Sequence, residues 1–141
     1  SGDFEGWYQV IVFGCVRCDG VVPLALDRSL AAIDLLGEVG KRIQPILITV
    51  DPEETPDILS VEIPKLHPRL IGLTGPAEEL AAARRLYRVE AEYVGKNING
   101  KSVYSAHSFV YLVGPEGEFL TLLPPVFESP VLAEKMKPYI S

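Results

Sequence analysis

An α/β domain with a mixed sheet flanked by helices is the fold class that the sequence predicts, and three observations predict it. Two short apolar runs, Gln9–Gly14 and Ile46–Val50, have the length and unbroken hydrophobicity of strands buried on both faces, as parallel strands are. Between them apolar residues recur at steps of four and three, the period of a helix. Beyond residue 87 the pattern changes to strand-like runs separated by Asn99-Gly100 and Pro115-Glu116-Gly117, which are hairpin turns. A chain of 141 residues, 48% apolar and 23% charged, is long enough for one core. It shows no repeat, low-complexity segment or linker, so a single domain over residues 1–141 is expected.

The elements follow in order. Gln9–Gly14 is the first strand, and Cys15 and Cys18 come immediately after it. A helix starts near Pro23, since proline suits a first helical position. It turns Leu26, Leu30, Ile33, Gly37 and Gly40 inward and ends at Lys41 and Arg42, whose charges oppose the helix dipole. The second strand, Ile46–Val50, breaks at Asp51-Pro52. A short helix spans Asp57–Ile63, limited by Pro64. Leu70–Thr74 is a third strand, and Gly75-Pro76-Ala77-Glu78-Glu79 opens a helix that runs to Tyr87, with proline at its first position and acids in its first turn. Arg88–Lys96, Val103–Val113 and Glu118–Leu123 are strands. Ser129-Pro130 caps and starts a last helix that ends at Pro138. The first half is therefore parallel and the second antiparallel.

Several function classes are excluded. A net charge of −6, without a run of Lys and Arg interleaved with aromatics, argues against nucleic acid. No stretch of eighteen apolar residues is present to span a bilayer. Ser1-Gly2-Asp3 has no signal-peptide character, as expected of a chain made without a targeting segment or one from which it is gone. There is no glycine-rich phosphate loop, no Ser-His-Asp candidate set and no second cysteine or histidine pair to complete a zinc finger.

The two cysteines are too few for a disulfide scaffold. Their place at the carboxyl end of a buried strand, ahead of a helix, is where open α/β sheets bind ligands, and a helix N-terminus favours thiolate. Cys-x-x-Cys reads either as a redox pair or as two small buried apolar residues, and both readings stay open here. Other candidates are plainer. His67 reads as a solvated loop residue. Asp51 either orients the cysteine segment or makes a turn with Pro52. Glu53, Glu54 and Asp57 form a solvated face or helix start, and Tyr104 and Tyr111 pack in strands.

One set of phrases goes further. Val12-Phe13-Gly14-Cys15-Val16-Arg17-Cys18-Asp19-Gly20-Val21-Val22-Pro23 resembles the metal-binding phrase of the Sco/SenC family, with the register fixed by Phe13-Gly14, Cys18 and Pro23. Val50-Asp51-Pro52-Glu53, Leu70-Ile71-Gly72-Leu73-Thr74-Gly75 and Tyr87-Arg88-Val89 are similar to later family phrases. So are His107 to Gly117, with its Gly-Pro-Glu-Gly turn, and Met136-Lys137-Pro138-Tyr139. The resemblance spans nearly the whole chain in order.

It implies a thioredoxin-like, Sco-type sheet and a role as accessory protein of cytochrome c oxidase assembly. In that family two cysteines of a Cys-x-x-x-Cys loop and a distant histidine bind copper, a donor set that suits Cu(I) and can hold Cu(II). Here Cys18 and His107 match the first cysteine and the histidine, while Val22 stands at the second cysteine. Asp19 replaces a proline, Ala106 an acidic residue, and Glu54-Thr55 an Arg-Asp pair. These departures imply copper binding that is weakened, or rearranged so that Cys15 supplies the missing thiolate. Two alternatives stay beside this one: a thiol-disulfide oxidoreductase using Cys15 and Cys18, and a non-catalytic structural or binding subunit of a respiratory complex. An enzyme is the lesser expectation, and so is a thioredoxin-like disulfide between Cys15 and Cys18, because Cys15 should continue the strand direction. Cys18 and His107 are expected to face each other across a shallow cleft, with Val22 on its rim. The implied partners are cytochrome c oxidase subunits or other respiratory-complex proteins, in the mitochondrial intermembrane space or bacterial periplasm. Membrane contact is expected through an upstream anchor alone. Asp3-Phe4-Glu5-Gly6-Trp7 reads as the remnant of the family's N-terminal hairpin.

Overall fold

The computed structural model describes residues 7–14, 18–19, 21–51, 54–86, 90–96, 98, 100, 102–107, 109–124 and 127–140. In chain order the strands and α-helices are β1 Tyr8–Gly14, β2 Cys18–Asp19, α1 Val21–Leu35, β3 Ile43–Thr49, α2 Pro56–Leu66, β4 Ile71–Leu73, α3 Ala77–Leu86, β5 Glu90–Lys96, β6 Ser102–His107, β7 Val110–Val113, β8 Phe119–Leu123 and α4 Ser129–Met136. Two sheets form. The central one runs β4-β3-β1-β7-β8, and a smaller one runs β2-β6-β5.

The central sheet is mixed, as expected. β1 pairs parallel with β3 from Tyr8↔Ile43 to Gly14↔Thr49, and β3 pairs parallel with β4. β1–β7 and β7–β8 are antiparallel. Its inner strands are apolar throughout because both faces are covered. On one face Val10, Val12, Leu47 and Leu112 pack in one cluster with Leu30 and Ile33 of α1, Leu59 and Ile63 of α2, and Leu132 and Met136 of α4. On the other, Ile11, Phe13, Ile46, Tyr111 and Val113 pack with Ala83 of α3. There Phe13 and Phe109 each meet the Tyr111 ring edge-on, at 6.1 and 6.4 Å between centroids.

The sequence-based boundaries shift for identifiable reasons. The expected strand Val103–Val113 is two strands: β6 ends at His107, β7 begins at Val110, and they belong to different sheets. Alternation cannot show a change of partner, although the Ser and Ala residues of 102–106 differ from the wholly buried Val110–Val113. α1 ends at Leu35, short of the expected Arg42. Gly37 stops it by taking the left-handed conformation, φ 59°. Gly40 then passes so close to the helix that a Cβ there would lie 2.1 Å from the Ile33 carbonyl oxygen. Lys41 and Arg42 fall in a 3₁₀ turn, where Lys41 pairs with Glu38 at 2.8 Å.

β3 starts three residues early and includes Pro45, which precedes the first residue that β4 pairs, Ile46. α2 runs through Pro64 to Leu66, since a proline in the last turn forfeits one hydrogen bond without breaking the turns before it. Its start is capped by Thr55, whose Oγ1 accepts from the Ile58 N–H. α3 begins one residue after Pro76, whose carbonyl accepts from the Glu79 and Leu80 N–H groups. In α4 the cap is Glu128 and Ser129 is already helical; Pro138 lies in the 3₁₀ turn that follows.

His67 is not a solvated loop residue. Its side chain is 9% exposed, and its backbone N–H donates to the Ile63 carbonyl at the end of α2. Its Nδ1 accepts from the Arg69 N–H at 3.1 Å, which leaves the proton on Nε2 to be donated to Asp34 at 2.9 Å. Arg69 in turn donates to the carbonyls of Ile43 and Gly40. These bonds fasten the ends of α1 and α2 together.

Glu54 also departs from expectation. Rather than lying on a solvated face it is 1% exposed, and Asp51 is 6% exposed. Thr49 Oγ1 donates to Glu54 Oε1 at 2.7 Å and accepts from the Asp51 N–H at 3.1 Å, while Thr74 Oγ1 donates to the Glu54 carbonyl at 2.9 Å. Asp57 is exposed in the first turn of α2, as expected; Glu53 lies outside the described residues. Buried carboxylates need such donors, because an unpaired one is costly. Thr49→Val should therefore destabilise the fold by about 1–3 kcal/mol, and Thr49→Ser by less, in urea unfolding. In the same assay Gly40→Ala, which must displace the Ile33 carbonyl, should cost about 1–3 kcal/mol. Gly37→Ala meets no atom and should cost the left-handed conformation alone, about 1–2 kcal/mol.

Candidate metal centre

In sequence, Cys15 and Cys18 follow the carboxyl end of β1. Cys18 sits in β2, in the connection between the first strand and the first long helix, as expected. Val22 is the second residue of α1, so the helix starts two residues before Pro23. Pro23 stays within the first turn, where N–H groups have no acceptor in the helix and a missing one costs nothing.

β2 joins the smaller sheet and not the central one. Cys18 pairs with Ser102 and Asp19 with Val103, both parallel. β6 continues from Ser102 to His107, which pairs across the hairpin with Glu90. The two candidate ligands are thus on adjacent strands of one three-stranded sheet. In that register five residues separate the partner of Cys18 from His107, about 16 Å along the strand at ~3.3 Å per residue. Cys15 lies outside the described residues, and so do the side chains of Cys18, Val22, Tyr104, Ala106 and His107. The expected Cys18–His107 cleft, the rim position of Val22 and the absence of a Cys15–Cys18 disulfide all fall there. Tyr111 packs in the core as expected, 2% exposed.

Beneath this segment the base is well fastened. The Val50 N–H donates to the Gly14 carbonyl at 2.7 Å, tying the end of β3 to the last residue before the cysteines. The buried group formed by Thr49, Asp51, Glu54 and Thr74 starts from the same strand end. Asp51 therefore does more than make a turn: its backbone holds the Thr49 hydroxyl that serves Glu54. Sequence reasoning missed this group because Glu54 sits in an acidic stretch that looks solvated. The signal was the threonine, a hydroxyl at the end of an otherwise apolar strand. Among the described residues no three His, Cys, Asp or Glu side chains cluster as a metal-binding group.

The chemistry of the matched positions is that of a soft-metal site with one donor replaced. A thiolate and an imidazole suit copper, and the alkyl side chain of Val22 offers it nothing. Comparison with known proteins agrees in fold and family. The SCO1/SenC family model matches residues 1–141. Protein sco1 of Schizosaccharomyces pombe is 37% identical over 125 residues, covering 85% of this chain and 47% of that protein. The chain thus spans about half the length of the curated relatives it matches. Among solved structures, Arabidopsis thaliana ScoI with copper bound superposes with a TM-score of 0.86 at 27% identity, over 96% of this chain and 84% of that one. Yeast Sco1 with copper bound gives 0.81 at 28%, over 98% and 78%. The mixed sheet with flanking helices is the thioredoxin-like architecture of those structures. With its family phrases in order from Phe13 to Tyr139 and the family match along its full length, this chain belongs to the SCO1/SenC family.

Proposed function

We propose that this single domain, residues 1–141, is a copper-handling accessory protein of cytochrome c oxidase assembly. Its copper cargo is held by Cys18 and His107, with Cys15 as the second thiolate. The observation that supports this reading is that Cys18 and His107, the two retained family positions, lie on the adjacent strands β2 and β6 of one small sheet. They are about 16 Å apart along β6 in the observed register, so binding one ion requires β2 to leave its pairing with Ser102. The copper-bound Arabidopsis and yeast structures, which share the fold, support the choice of metal. Its partners are then cytochrome c oxidase subunits or other respiratory-complex proteins. Its compartment is the intermembrane space or the periplasm, in line with mitochondrial and bacterial relatives.

The spacing of the two cysteines supports Cys15. Cys18 follows at the Cys-x-x-Cys spacing that lets two thiolates reach one ion. Soft thiolates hold Cu(I), and the imidazole completes a set that also accepts Cu(II). No bond need be made or broken in the protein for such cargo to pass to a competing thiol site.

Competition against a Cu(I) chelator tests the reading on wild type, Cys15→Ala, Cys18→Ala and Val22→Cys. Each alanine should weaken binding by more than the loss of an outer-shell partner does, about 10–100-fold, and Val22→Cys should tighten it. If Cys15→Ala binds like wild type while Cys18→Ala does not, the assignment of Cys15 falls and the copper role stands. If none of the four proteins takes copper from the chelator, the copper role fails and a structural subunit becomes the account. A Cys15–Cys18 disulfide with a midpoint in the thioredoxin range by thiol trapping would replace it with an oxidoreductase.

A further inference from the structure

Copper chemistry leaves the groove between α2 and β4 unused. β4 is an edge of the central sheet: it pairs with β3, and no other described strand lies beside it. An edge strand presents unpaired N–H and C=O groups, which proteins usually guard with charge, proline or a bulge. Ile71-Gly72-Leu73 carries none of these, and Leu73 is 44% exposed. Along the strand runs a hollow of about 380 Å³, lined by the buried Leu59 and Ile63 and by the exposed Pro56, Ser60, Pro64 and Leu73. Its volume is at the small end for binding sites, about 300–1,000 Å³, and suits a few side chains. One end is acidic. Thr74, also in the lining, donates through Oγ1 to the Glu54 carbonyl two residues before Pro56, so the end of β4 and the start of α2 meet there. Asp57 is exposed at that start, and a Glu79 carboxylate oxygen lies against Gly75, 3.1 Å from where a Cβ would stand. Neither acid joins an ion pair among the described residues. Toward the other end Lys65 is matched by Glu62 at 3.2 Å.

We propose that this groove docks an extended segment of a partner protein, added to β4 as a further strand. Alternate apolar side chains of that segment enter the hollow, and a Lys or Arg meets the acidic end. Strand addition takes its affinity from main-chain hydrogen bonds and its specificity from pockets that receive alternate side chains. Edge and hollow lie side by side here, as that mode requires. A second copy of this chain fits less well. Gly72 is the β4 residue that faces α2, since a Cβ there would lie 2.9 Å from the Ile63 side chain. Pairing β4 with itself about its centre would set Gly72 against Gly72, and that residue has no side chain to offer the hollow. Asp57 and Glu79 select the charge of the partner, because opposite charge at a rim speeds encounter and like charge is rejected.

The test uses the metal-free 141-residue chain, so it is independent of the copper reading. A phage library of random octapeptides is panned on it. Recovered sequences should alternate apolar residues next to Lys or Arg, and a synthetic copy of one should slow amide hydrogen exchange at Ile71–Thr74. N-methylation of a peptide N–H that pairs with β4 should weaken binding by about 2–10-fold. Ser60→Trp fills the hollow from an exposed position and should abolish binding with the urea midpoint unchanged. Asp57→Lys together with Glu79→Lys should weaken it by about tenfold and remove most of its salt dependence. Should Ser60→Trp shift the urea midpoint, the charge-reversed variant carries the decision. The proposal is overturned if no sequence is enriched, if enriched sequences lack the cation, if binding leaves β4 exchange unchanged, or if the folded variants bind like wild type. Protection of β4 that rises with protein concentration alone would give the edge to a second copy and overturn it too.

Discussion

The parallel ladder between β1 and β3 is the constraint on which the rest of the structure depends. Seven paired positions, Tyr8↔Ile43 through Gly14↔Thr49, run through the middle of the central sheet with side chains entering both clusters. Parallel strands need a crossover, and α1 supplies it across the face that also receives α2 and α4. Because the ladder is dry on both sides, its polar backbone must be satisfied internally up to its last residue. The Val50 N–H to Gly14 carbonyl bond and the Thr49 hydroxyl do this at the carboxyl end. The chain therefore leaves β1 from a fixed point, and the cysteine segment begins one residue later.

What is built on that point is held differently. β2 contributes two backbone pairs to the smaller sheet, against seven in the β1–β3 ladder. A typical hydrogen bond has a net worth of about 0.5–1.5 kcal/mol, so releasing Cys18 from Ser102 costs little beside unfolding the core. In the paired register Cys18 and His107 stand too far apart along β6 to share one ion. Sharing one ion, as proposed, therefore requires β2 to leave that register while the base stays intact.

The central fold was legible because its physics is repetitive. The unbroken apolar runs of β1 and β3, the helical period from Leu26 to Ile33 and the Gly-Pro-Glu-Gly turn before β8 each state a local rule that tertiary packing obeys. What escaped depended on contacts distant in sequence. Gly40 looks like one more position on a helical stripe until the chain folds back onto the Ile33 carbonyl. His67 looks solvated until Asp34, on another helix, meets its ring. Glu54 looks like surface charge until Thr49 turns its hydroxyl inward. The break between β6 and β7 escaped because alternation records which side of a strand is dry and not which strand lies beside it. Of the candidate centre, the retained Cys18 and His107 and the Cys18 location were legible, and the pairing of β2 with β6 was not.

The proposed replacement of a thiolate at position 22 by one at position 15 would have a geometric consequence. Position 22 belongs to the first turn of α1, the helix packed on the face formed by Val10, Val12 and Leu47. Along β1 the side chains that face the opposite cluster are Ile11 and Phe13, and along β7 they are Tyr111 and Val113. Strand side chains alternate, so if β1 continued its direction, position 15 would join the Phe13 side, away from α1. A site using Cys15 would thus be displaced across the sheet from one using a cysteine at position 22. The two thiolates would compete to define where the ion sits, not merely add to the ligand count. Position 22 belongs to a helix whose later turns are packed into the core, whereas position 15 follows in sequence a ladder of seven paired positions.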